Sequence, residues 1–511
     1  MKLIDDEISL DWPDWTDFGL SVVHSPDARP TESSLDPDDW SEVRRTFHAA
    51  VDGCLDHMQS VRDRPVWRPV PEAVKVQFGE SAPAGGEPLG DLLDLFNESM
   101  QPYATGNTHP RFFGWVHGSG SVAGVLGEML AAFMNCNAGG RDHVATYVER
   151  QVVDWCKEIF GFPASASGIV TSGTSMGTVI AFTVARNAAA PHDIRLRGLS
   201  CLTKKLVGYA SSEAHCCLAK SFEMLGLGRD ALRTVPVDAG GRIDTGDLAR
   251  MVDADLAAGH QPFLVCASAG TVNTGAIDDL DAIADLCRER SLWMHVDGAF
   301  GALAILAPEF KASLAAISRA DSVAFDFHKW LHVPYDAGCV LIKDEEAHRS
   351  AFSARREYLA TLQQGLAGGD PWFCEYGPEL SRGFRALKIW FTLKSYGIDR
   401  FAQLISRNCE QARYLGELVR AAAHLELLAE VTLNIVCFRF AVRGLSEPEL
   451  DELNASIVTD LQVLGIAAPS TTRIRGRLAI RAALTNHRTR REDLAFLAAE
   501  VSRLGKEAVC G

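Results

Sequence analysis

Hydrophobic and polar positions follow a helical pattern in the N-terminal part of the chain, residues 1–107. Asp36-Pro37 can cap a helix, and the apolar positions that follow would share one helical face: Trp40, Val43, Phe47, Val51 and Cys54. After a proline-rich extended connector, "DRPVWRPVPE", the stretch "LGDLLDLFNESM" predicts a second helix. A thin helical arm buries little apolar surface by itself, so we expect it to pack on another domain or on a partner chain.

The pattern changes between residues 108 and 397, where short β-rich runs alternate with helical segments. The predicted strands are "KLVGYAS", "PFLVCAS", "LWMHVDGAF", "SVAFDFHKW" and "GCVLIKD". Between two of them, "DDLDAIADLCRERS" predicts a helix whose apolar face carries Ile277, Leu280, Ile283, Ala284 and Cys287. This alternation predicts an α/β fold with a mostly parallel central sheet and helices on both faces. Ligands bind such sheets at the carboxyl ends of the strands.

The last part of the chain, residues 398–511, predicts a smaller α+β domain. Its strands are expected in "TLNIVCFRFAV" and "RLAIRAAL", with helices between them. A chain of 511 residues is too long for one ordinary hydrophobic core. We therefore expect a helical arm (1–107), a large ligand-binding domain (108–397) and a small C-terminal domain (398–511).

Composition and charge exclude several functional classes. The net charge of −16 argues against nucleic acid as a partner, because a phosphate backbone needs a basic surface. No run of about 18 apolar residues occurs, so no membrane span is expected, and the acidic start "MKLIDDEISLDWPDW" lacks the apolar core of a signal peptide. The thirteen cysteines are scattered without a C-x-x-C pair, which favours free thiols in a reducing cytoplasm.

Lys329 stands at the end of an apolar run, in "SVAFDFHKWLHVPYDAGCVLIKD". Lysine is rarely buried, because its ammonium group is costly to desolvate unless it is paired. Taken alone, the stretch favours a lysine that reaches out to water from a strand end. The alternative is an amine held in a dry site, where it can act as a nucleophile.

A strand, a hydroxyl- and glycine-rich turn and a helix follow one another in "IVTSGTSMGTVIAFTVARN". Backbone N–H groups at the start of this helix, with the hydroxyls of Thr174 and Ser175, could bind a phosphate. An ordinary strand–helix turn with a capping hydroxyl explains the motif equally well. It is not a Walker loop, because no Gly-Lys-Ser/Thr follows.

Two further strand ends carry side chains suited to a flat, cationic ring. Asp297, in "LWMHVDGAFGA", is either a turn cap or the partner of a protonated pyridine nitrogen, and Ala299 with two glycines leaves room for a ring. His215, in "GYASSEAHCCLAKSFEMLG", is either a capping or core residue or the cover of a planar ligand.

Two weaker patterns are not expected to carry function. "GSGSVA", Gly118 to Ala123, matches the dinucleotide pattern G-x-G-x-x-A, but the residues before it make a doubtful strand. His328 and His332 are spaced like metal ligands, yet no helix or nearby carboxylate completes a site, so no metal is expected.

Together, the strand ends supply an amine for an imine, an acid for a pyridinium nitrogen, a phosphate cradle and an imidazole to cover a ring. Pyridoxal phosphate (PLP) is the cofactor that needs this set. From about Trp40 onward the chain resembles the group II PLP-dependent amino-acid decarboxylases, which include aromatic-L-amino-acid and glutamate decarboxylases. The motifs that carry the resemblance are "HPRFFGW", "TSGTSMGT", "SSEAHCC", "HVDGAFG", "DFHKWLHVPYDAG" and "LSRGFRALKIWFTLKSYG". It implies the PLP-dependent transferase fold type I.

The resemblance also implies roles for individual residues. Lys329 would bind the cofactor as an imine, Asp297 would pair with the ring nitrogen, and His215 would stack on the ring and guide the substrate. Further cofactor contacts are implied for Gly173, Thr174, Ser175, Thr271, Ala299, Asp326 (where the family often has Asn) and His328. Phe112, Phe113 and Trp115 would form the substrate pocket. The family works as a homodimer with its sites at the interface and the N-terminal arm around the partner.

The expected reaction converts an L-amino acid, preferably aromatic, to its amine and CO2. An acidic substrate is the alternative, because "HPRFF" also resembles glutamate-type members. In the mobile loop of aromatic decarboxylases a tyrosine is thought to protonate the product carbon. The matching loop here, "LQQGLAGGDPWFCEYG", has Trp372 or Phe373 at that place and Tyr376 a few residues later. An aldehyde-forming oxidative reaction is therefore a second possibility.

The same residues allow three other functional classes of protein to be considered. An aminotransferase or another lyase of the same fold would use the same cofactor. A catalytically silent binding protein is disfavoured by the intact set of Lys329, Asp297 and His215. A dinucleotide-dependent oxidoreductase would rest on the weak glycine pattern alone.

Overall fold

The computed structural model describes residues 34–191, 194–353 and 364–510. The first part of the predicted arm (1–33) and the start of the predicted loop (362–363) lie outside the described residues. The arm contains helices α1 (Trp40–Gln59), α2 (Glu72–Gln77) and α3 (Leu89–Leu95), and α3 continues into a π-helical turn. The prediction that Asp36 caps the first helix is wrong. Asp39 is the cap, because its carboxylate accepts a hydrogen bond of 2.8 Å from the N–H of Ser41.

The large sheet has seven strands in the order β1-β7-β6-β5-β4-β2-β3. They are β1 (Ser167–Thr171), β2 (Leu206–Ser211), β3 (Leu232–Val235), β4 (Gln261–Ser268), β5 (Trp293–Asp297), β6 (Ser322–Asp326) and β7 (Gly338–Ile342). Strands β6, β5, β4, β2 and β3 pair in parallel, whereas β7 runs antiparallel to both β1 and β6. The prediction of a mostly parallel sheet is confirmed.

Helices cover both faces of this sheet, as the alternating pattern predicts. They are α4 (Val122–Met134), α5 (Val144–Phe160), α6 (Thr174–Ala189), α7 (Ile194–Arg197), α8 (Cys217–Met224), α9 (Thr245–Ala257), α10 (Leu280–Arg290), α11 (Lys311–Leu314), α12 (Phe327–Trp330), α13 (Glu345–Phe352) and α14 (Arg385–Tyr396). Neighbouring strand residues face opposite layers: Val323 packs in the core with α5 and α10, and Ala324 packs in the core with α6 and α8.

Helix α10 differs from its predicted extent at the N-terminus. It begins at Leu280, because the carboxylate of Asp279 accepts a hydrogen bond from the N–H of Ala282. Ile277 therefore precedes the helix and bridges to Ala269 instead. The other predicted members of the apolar face, Leu280, Ile283, Ala284 and Cys287, are buried.

The C-terminal part of the chain builds a second, antiparallel sheet in the order β10-β11-β9-β8. Its elements are α15 (Ile398–Ala421), β8 (Leu425–Leu427), β9 (Ile435–Phe440), α16 (Glu447–Val463), β10 (Ser470–Ile474), β11 (Arg477–Ala483) and α17 (Arg491–Cys510). Apolar residues of α15, α16 and α17 pack together with β9 and β11 in one core. In the described part of the chain, no helix is long and apolar enough to cross a membrane.

Candidate active site

A cavity of about 500 Å³ lies at the carboxyl ends of the strands of the large sheet. This volume is in the range of sites for small molecules and cofactors. The cavity brings together eleven residues that the sequence analysis singled out: Trp115, Gly173, Thr174, Ser175, His215, Thr271, Asp297, Ala299, Asp326, His328 and Lys329. Because consecutive strands end at the same edge, residues far apart in sequence meet here.

Lys329 lies one turn beyond the end of β6, in the short helix α12. Its Nζ is 3.1 Å from Oδ2 of Asp326, and the other oxygen of Asp326 accepts a hydrogen bond of 2.7 Å from the N–H of Thr174. Asp326 therefore holds the lysine turn against the turn before α6. The lysine side chain is 23% exposed, and its neighbours Phe327, His328 and Trp330 are buried. Lys329 thus faces the cavity and does not extend into bulk water.

Gly118 presses against this turn from the other side. A Cβ atom built on Gly118 would lie 2.1 Å from the carbonyl oxygen of His328 and 2.5 Å from that of Lys329. Only glycine permits so close an approach of two backbones. Ser121 of the same glycine-rich pattern caps α4 by accepting a hydrogen bond from the N–H of Gly124. The pattern "GSGSVA" therefore serves backbone packing and helix capping.

Asp297 ends β5 in a dry environment, with 7% of the residue exposed. Among the described residues, its carboxylate accepts a single side-chain hydrogen bond, which comes from the N–H of Ala299 and has a length of 3.1 Å. Burial raises the pKa of this carboxyl, and the nearby charges of Lys329 and His215 oppose that rise. A buried carboxylate with so little local compensation suits a cationic N–H donor placed in the cavity.

His215 follows β2 and precedes α8. Its Nδ1 accepts a hydrogen bond of 3.2 Å from the N–H of Cys217, so the proton of the neutral ring is on Nε2. Burial lowers the pKa of His215, although the charge of Asp297 opposes this shift. The neighbouring Cys217 also lines the cavity, but burial raises the pKa of its thiol to about 12, so it is no nucleophile.

The turn at the start of α6 offers donors for an anion. Gly173 is the N-terminal cap of this 16-residue helix, and Ser175 follows in its first turn. In the described part of the chain, the Oγ1 of Thr174 is buried without a hydrogen-bond partner. His328 faces the same turn, and its Nδ1 accepts a hydrogen bond from the N–H of Ala337. An unpartnered buried hydroxyl at a helix N-terminus fits a bound phosphate.

The cavity wall also contains residues that the sequence analysis did not single out, among them His117 and Tyr335. The ring of Tyr335 is 4.3 Å from that of His328 and 5.9 Å from that of His117. His117 lies two residues after Trp115, beside the motif "HPRFFGW". Tyr335 lies six residues after Lys329, inside the motif "DFHKWLHVPYDAG". Neither lies at a strand end, so the rule that located the other residues does not select them.

Phe112 and Phe113 do not line the cavity of their own chain. Phe112 packs with Val66 and Ala468, and Phe113 packs in the core of the antiparallel sheet. Both are at least 95% buried, because their segment pairs with the C-terminal part of the chain. Trp115, at the end of the same motif, is exposed to the cavity.

The three aromatic residues of the predicted loop also lie outside this cavity. The indole of Trp372 donates to the carbonyl oxygen of Gly369, and Phe373 is buried in the core beside α6. The hydroxyl of Tyr376 donates to Oε1 of Glu345 at 2.6 Å. Their rings are held by contacts within the chain, and a role for them in the reaction stays a prediction.

His328 and His332 have different surroundings, although they are four residues apart. His332 is buried, its Nδ1 lies 3.3 Å from the hydroxyl of Ser119, and its ring contacts that of His487. Within residues 34–191, 194–353 and 364–510, no group of three or more potential ligands could hold a metal ion. The spacing of the two histidines does not create a shared site.

Comparisons with known proteins match most of the chain. The model of the family described as "Pyridoxal-dependent decarboxylase conserved domain" matches residues 71–441. The aromatic-L-amino-acid decarboxylase of Bacillus atrophaeus is 33% identical over 470 residues, which cover 91% of this chain and 96% of that protein. The phenylacetaldehyde synthase of Petunia hybrida is 30% identical over 481 residues, covering 89% of this chain and 93% of the relative.

Solved structures agree with the fold. A crystal structure of Oryza sativa TDC with PLP and tryptamine has a TM-score of 0.86 and 26% identity, and covers 93% of this chain and 100% of that chain. A crystal structure of Catharanthus roseus tryptophan decarboxylase in complex with L-tryptophan has a TM-score of 0.83 and 28% identity, with the same coverage of each chain. The fold type I prediction is confirmed.

The residues of the cavity fit PLP on their own chemistry. Lys329 offers an amine, and among the described residues Asp297 forms no ion pair and the buried hydroxyl of Thr174, at the start of α6, has no hydrogen-bond partner. These are the groups that a carbonyl, a pyridinium nitrogen and a phosphate would engage. Geometry, family model and relatives agree, and the chain belongs to the pyridoxal-dependent decarboxylases, enzymes that use PLP as their cofactor.

Proposed function

We propose that this enzyme decarboxylates an aromatic L-amino acid to the corresponding amine and CO2. The observation that carries the proposal is the composition of the cavity, in which Lys329, Asp297 and His215 face an aromatic wall of Trp115, Tyr335 and other rings. Among the described residues, no arginine lines the cavity. An acidic substrate would need a second cation besides Lys329 to neutralise its side chain.

The roles of the individual residues follow from their positions. When bound, PLP supplies the electron sink for the electron pair that departing CO2 leaves behind. The Nζ of Lys329 would hold the cofactor covalently. The carboxylate of Asp297 would keep the proton on the ring nitrogen.

Other residues that line the cavity would orient the cofactor. The hydroxyls of Thr174 and Ser175 and the N–H groups at the start of α6 would bind its phosphate. His215 would cover one face of the ring, and Thr271 and Ala299 would border it. The hydroxyl of Thr271 is itself oriented, because it accepts a hydrogen bond from the N–H of Ala276.

Relatives support an aromatic substrate. Besides the Bacillus atrophaeus enzyme, "Tyrosine decarboxylase 1" of Narcissus pseudonarcissus is 31% identical over 454 residues. Histidine decarboxylase of Drosophila melanogaster is 30% identical over 472 residues, and the matched region covers only 54% of that protein. Names of relatives do not identify the side chain, so a substrate panel is the decisive experiment.

The purified enzyme should be incubated with L-tyrosine, L-phenylalanine, L-tryptophan, L-glutamate and L-aspartate, and CO2, amine, aldehyde and peroxide should be scored separately. We expect amine and CO2 in equal amounts from at least one aromatic amino acid. Turnover of glutamate or aspartate with no aromatic amino acid would refute the substrate class and leave the cofactor assignment standing.

A second candidate is oxidative decarboxylation to an aldehyde. The aromatic loop supports it, because the hydroxyl of Tyr376 is engaged by Glu345, while Trp372 and Phe373 have no hydroxyl. The Petunia hybrida relative is named as an aldehyde synthase. In that reaction amino acid, O2 and water give aldehyde, CO2, ammonia and hydrogen peroxide. Peroxide equal to CO2, with no amine, would select this candidate.

We also propose that the enzyme is a homodimer with its active sites at the interface. The support is an apolar face of α1 that this chain leaves exposed, formed by Trp40, Phe47, Val51 and Leu55. Helix α4 exposes Val122, Val125, Leu126 and Phe133 as well. Such faces indicate a protein partner. Sedimentation should give twice the chain mass of 55.5 kDa, and Phe47→Glu should shift the enzyme toward the monomer.

A cytoplasmic location is proposed on the state of the thiols. Seven cysteines are buried as thiols outside any disulfide, among them Cys156, Cys266 and Cys339. Proteins of oxidising compartments usually pair their cysteines. Fractionation of the source cells with an activity assay should place the enzyme with cytoplasmic markers.

A further inference from the structure

His117 occupies an unusual place in the wall of the cavity. Its imidazole stacks on the ring of Trp115 at 5.7 Å and on the ring of Phe112 at 5.6 Å, and it meets the ring of Tyr335 nearly edge-on at 5.9 Å. Three aromatic neighbours restrict the orientation of the imidazole. The ring is half-buried, and it lines the same cavity as Lys329.

The main chain at His117 is also held in place. The hydroxyl of Thr485 donates a hydrogen bond of 2.8 Å to the carbonyl oxygen of His117. The next residue, Gly118, packs against the carbonyl groups of His328 and Lys329, closer than any side chain would allow. His117 is therefore positioned relative to the reactive lysine by its backbone as well as by its ring.

The imidazole of His117 has no hydrogen-bond partner among the described residues. Within the described residues its two nitrogens make no hydrogen bond, whereas the Nδ1 atoms of His215 and His328 each accept one from a backbone N–H. Lys329 and Asp326 form an ion pair with each other. The hydrogen-bonding capacity of the His117 imidazole therefore remains available to a ligand.

The charge of His117 restricts what that ligand can be. Burial, and then the charges of Lys329 and His328, lower the pKa of His117, so the ring is neutral near pH 7. A neutral imidazole cannot balance a carboxylate, but it offers one N–H donor and one lone pair. A ring hydroxyl can donate or accept, and it therefore suits either tautomer.

We propose that His117 selects the ring substituent of the substrate by forming a hydrogen bond with a hydroxyl group on its aromatic side chain. Hydroxylated aromatic L-amino acids such as tyrosine are then preferred over phenylalanine. The inference rests on the proposed aromatic decarboxylation and names the substrate class of that site. His117 is a substrate-binding residue, and no step of bond cleavage is assigned to it.

The test compares His117→Phe and His117→Gln with the unmodified holoenzyme. Phenylalanine keeps the aromatic stack and removes the hydrogen bond, so the ratio of kcat/KM for L-tyrosine over L-phenylalanine should fall by roughly tenfold. Glutamine keeps one donor and one acceptor and should retain part of the preference. His48→Asn, an exposed position on α1, is the control and should leave the ratio unchanged.

Equilibrium binding gives a readout that does not depend on turnover. Calorimetry with the product amines tyramine and phenethylamine should show that His117→Phe weakens tyramine selectively. If His117→Phe does not fold, the same comparison on His117→Gln still decides, because a reduced preference for tyramine supports the role and an undiminished one contradicts it.

The outcomes separate this inference from the function on which it rests. An unchanged tyrosine-to-phenylalanine ratio in His117→Phe, with the cofactor absorbance intact, overturns the role of His117 alone. A native enzyme that turns over both amino acids with equal kcat/KM overturns it as well. An enzyme that decarboxylates only acidic amino acids overturns the proposed substrate class and this inference together.

Discussion

The two sides of the cavity are built in different ways. On the cofactor side, Thr174, Asp297 and Lys329 each lie within a few residues of a strand end, where sheet and helix hydrogen bonds hold the backbone. On the aromatic side, Trp115, His117 and Tyr335 come from segments without helix or strand. The cofactor is common to a whole family, and the substrate side chain is not. Under the proposed roles, the strand ends would hold the shared chemistry and the irregular segments would carry the selectivity.

The largest effect is expected at Lys329. Lys329→Ala removes the amine that holds the cofactor, and activity should fall by roughly a thousandfold or more. The absorbance of the bound cofactor near 420 nm, a property of the cofactor's imine with lysine, should disappear. Lys394→Ala, at an exposed position on α14, should keep both signals. An absorbance band that survives in Lys329→Ala would contradict the assignment of the lysine.

A second, smaller effect separates two buried aspartates near the carboxyl ends of β4 and β5. Asp297→Asn removes the negative charge opposite the ring nitrogen, and kcat should fall by about a hundredfold or more. Asp278 is also buried, but its two oxygens accept hydrogen bonds from the N–H groups of Ile243 and Ser268. Asp278→Asn leaves one N–H unpaired and should cost about 1–3 kcal/mol of unfolding free energy while kcat is preserved.

Kinetics and urea unfolding of both asparagine variants check this contrast. If Asp278→Asn reduced kcat as strongly as Asp297→Asn at unchanged stability, the special role of Asp297 would be wrong. Equal losses of stability in both variants, with kcat intact, would make Asp297 a structural residue.

Gly118 joins the two sides, and its substitution tests how tightly they are coupled. In Gly118→Ala the new methyl group overlaps the carbonyl groups of His328 and Lys329, so the lysine turn must shift. We expect a fall in kcat of about tenfold to a hundredfold, because small displacements of reacting groups are costly. Gly53→Ala, in open space on α1, is the matched control and should not reduce kcat. Full activity of Gly118→Ala would show that the two sides move independently.

The smallest effect is expected at Tyr376, outside the cavity. Tyr376→Phe removes the hydrogen bond to Glu345 and should lower the unfolding free energy by about 1–2 kcal/mol. The ratio of amine to aldehyde should stay the same, because the hydroxyl is engaged away from the cavity of its own chain. Product analysis by chromatography and a peroxide assay measure this ratio. A rise in aldehyde would instead show that the hydroxyl reaches an active site, by loop movement or across a dimer interface.

Local sequence patterns were sufficient for the parts that depend on neighbours along the chain. The strand before Asp297, the turn at Thr174 and the helix through Ile283 all follow from apolar spacing and turn residues. Boundaries were less certain. The sequence predicted Asp36 as the cap of α1, and the observed bond from Ser41 to Asp39 shows that the helix begins later.

Parts of the site that depend on segments distant in sequence could not be predicted from local sequence patterns. Phe112 and Phe113 belong to the same motif as Trp115, yet only Trp115 reaches the cavity. The reason is their pairing with Ala468 and the antiparallel sheet, more than 300 residues away in sequence. Contacts over such separations leave no periodicity in the local sequence.

The sequence by itself determined the mostly parallel sheet, the cofactor and the residues at the strand ends, because strand, turn and helix signals are local and parallel strands deliver their carboxyl ends to one edge. The tertiary structure alone decided which aromatic rings face the cavity and which are buried in the hydrophobic core. It also showed that the ring of His117 contacts those of Trp115, Phe112 and Tyr335, while its nitrogens make no hydrogen bond within the described residues. Those facts depend on packing between segments that the chain brings together only after folding.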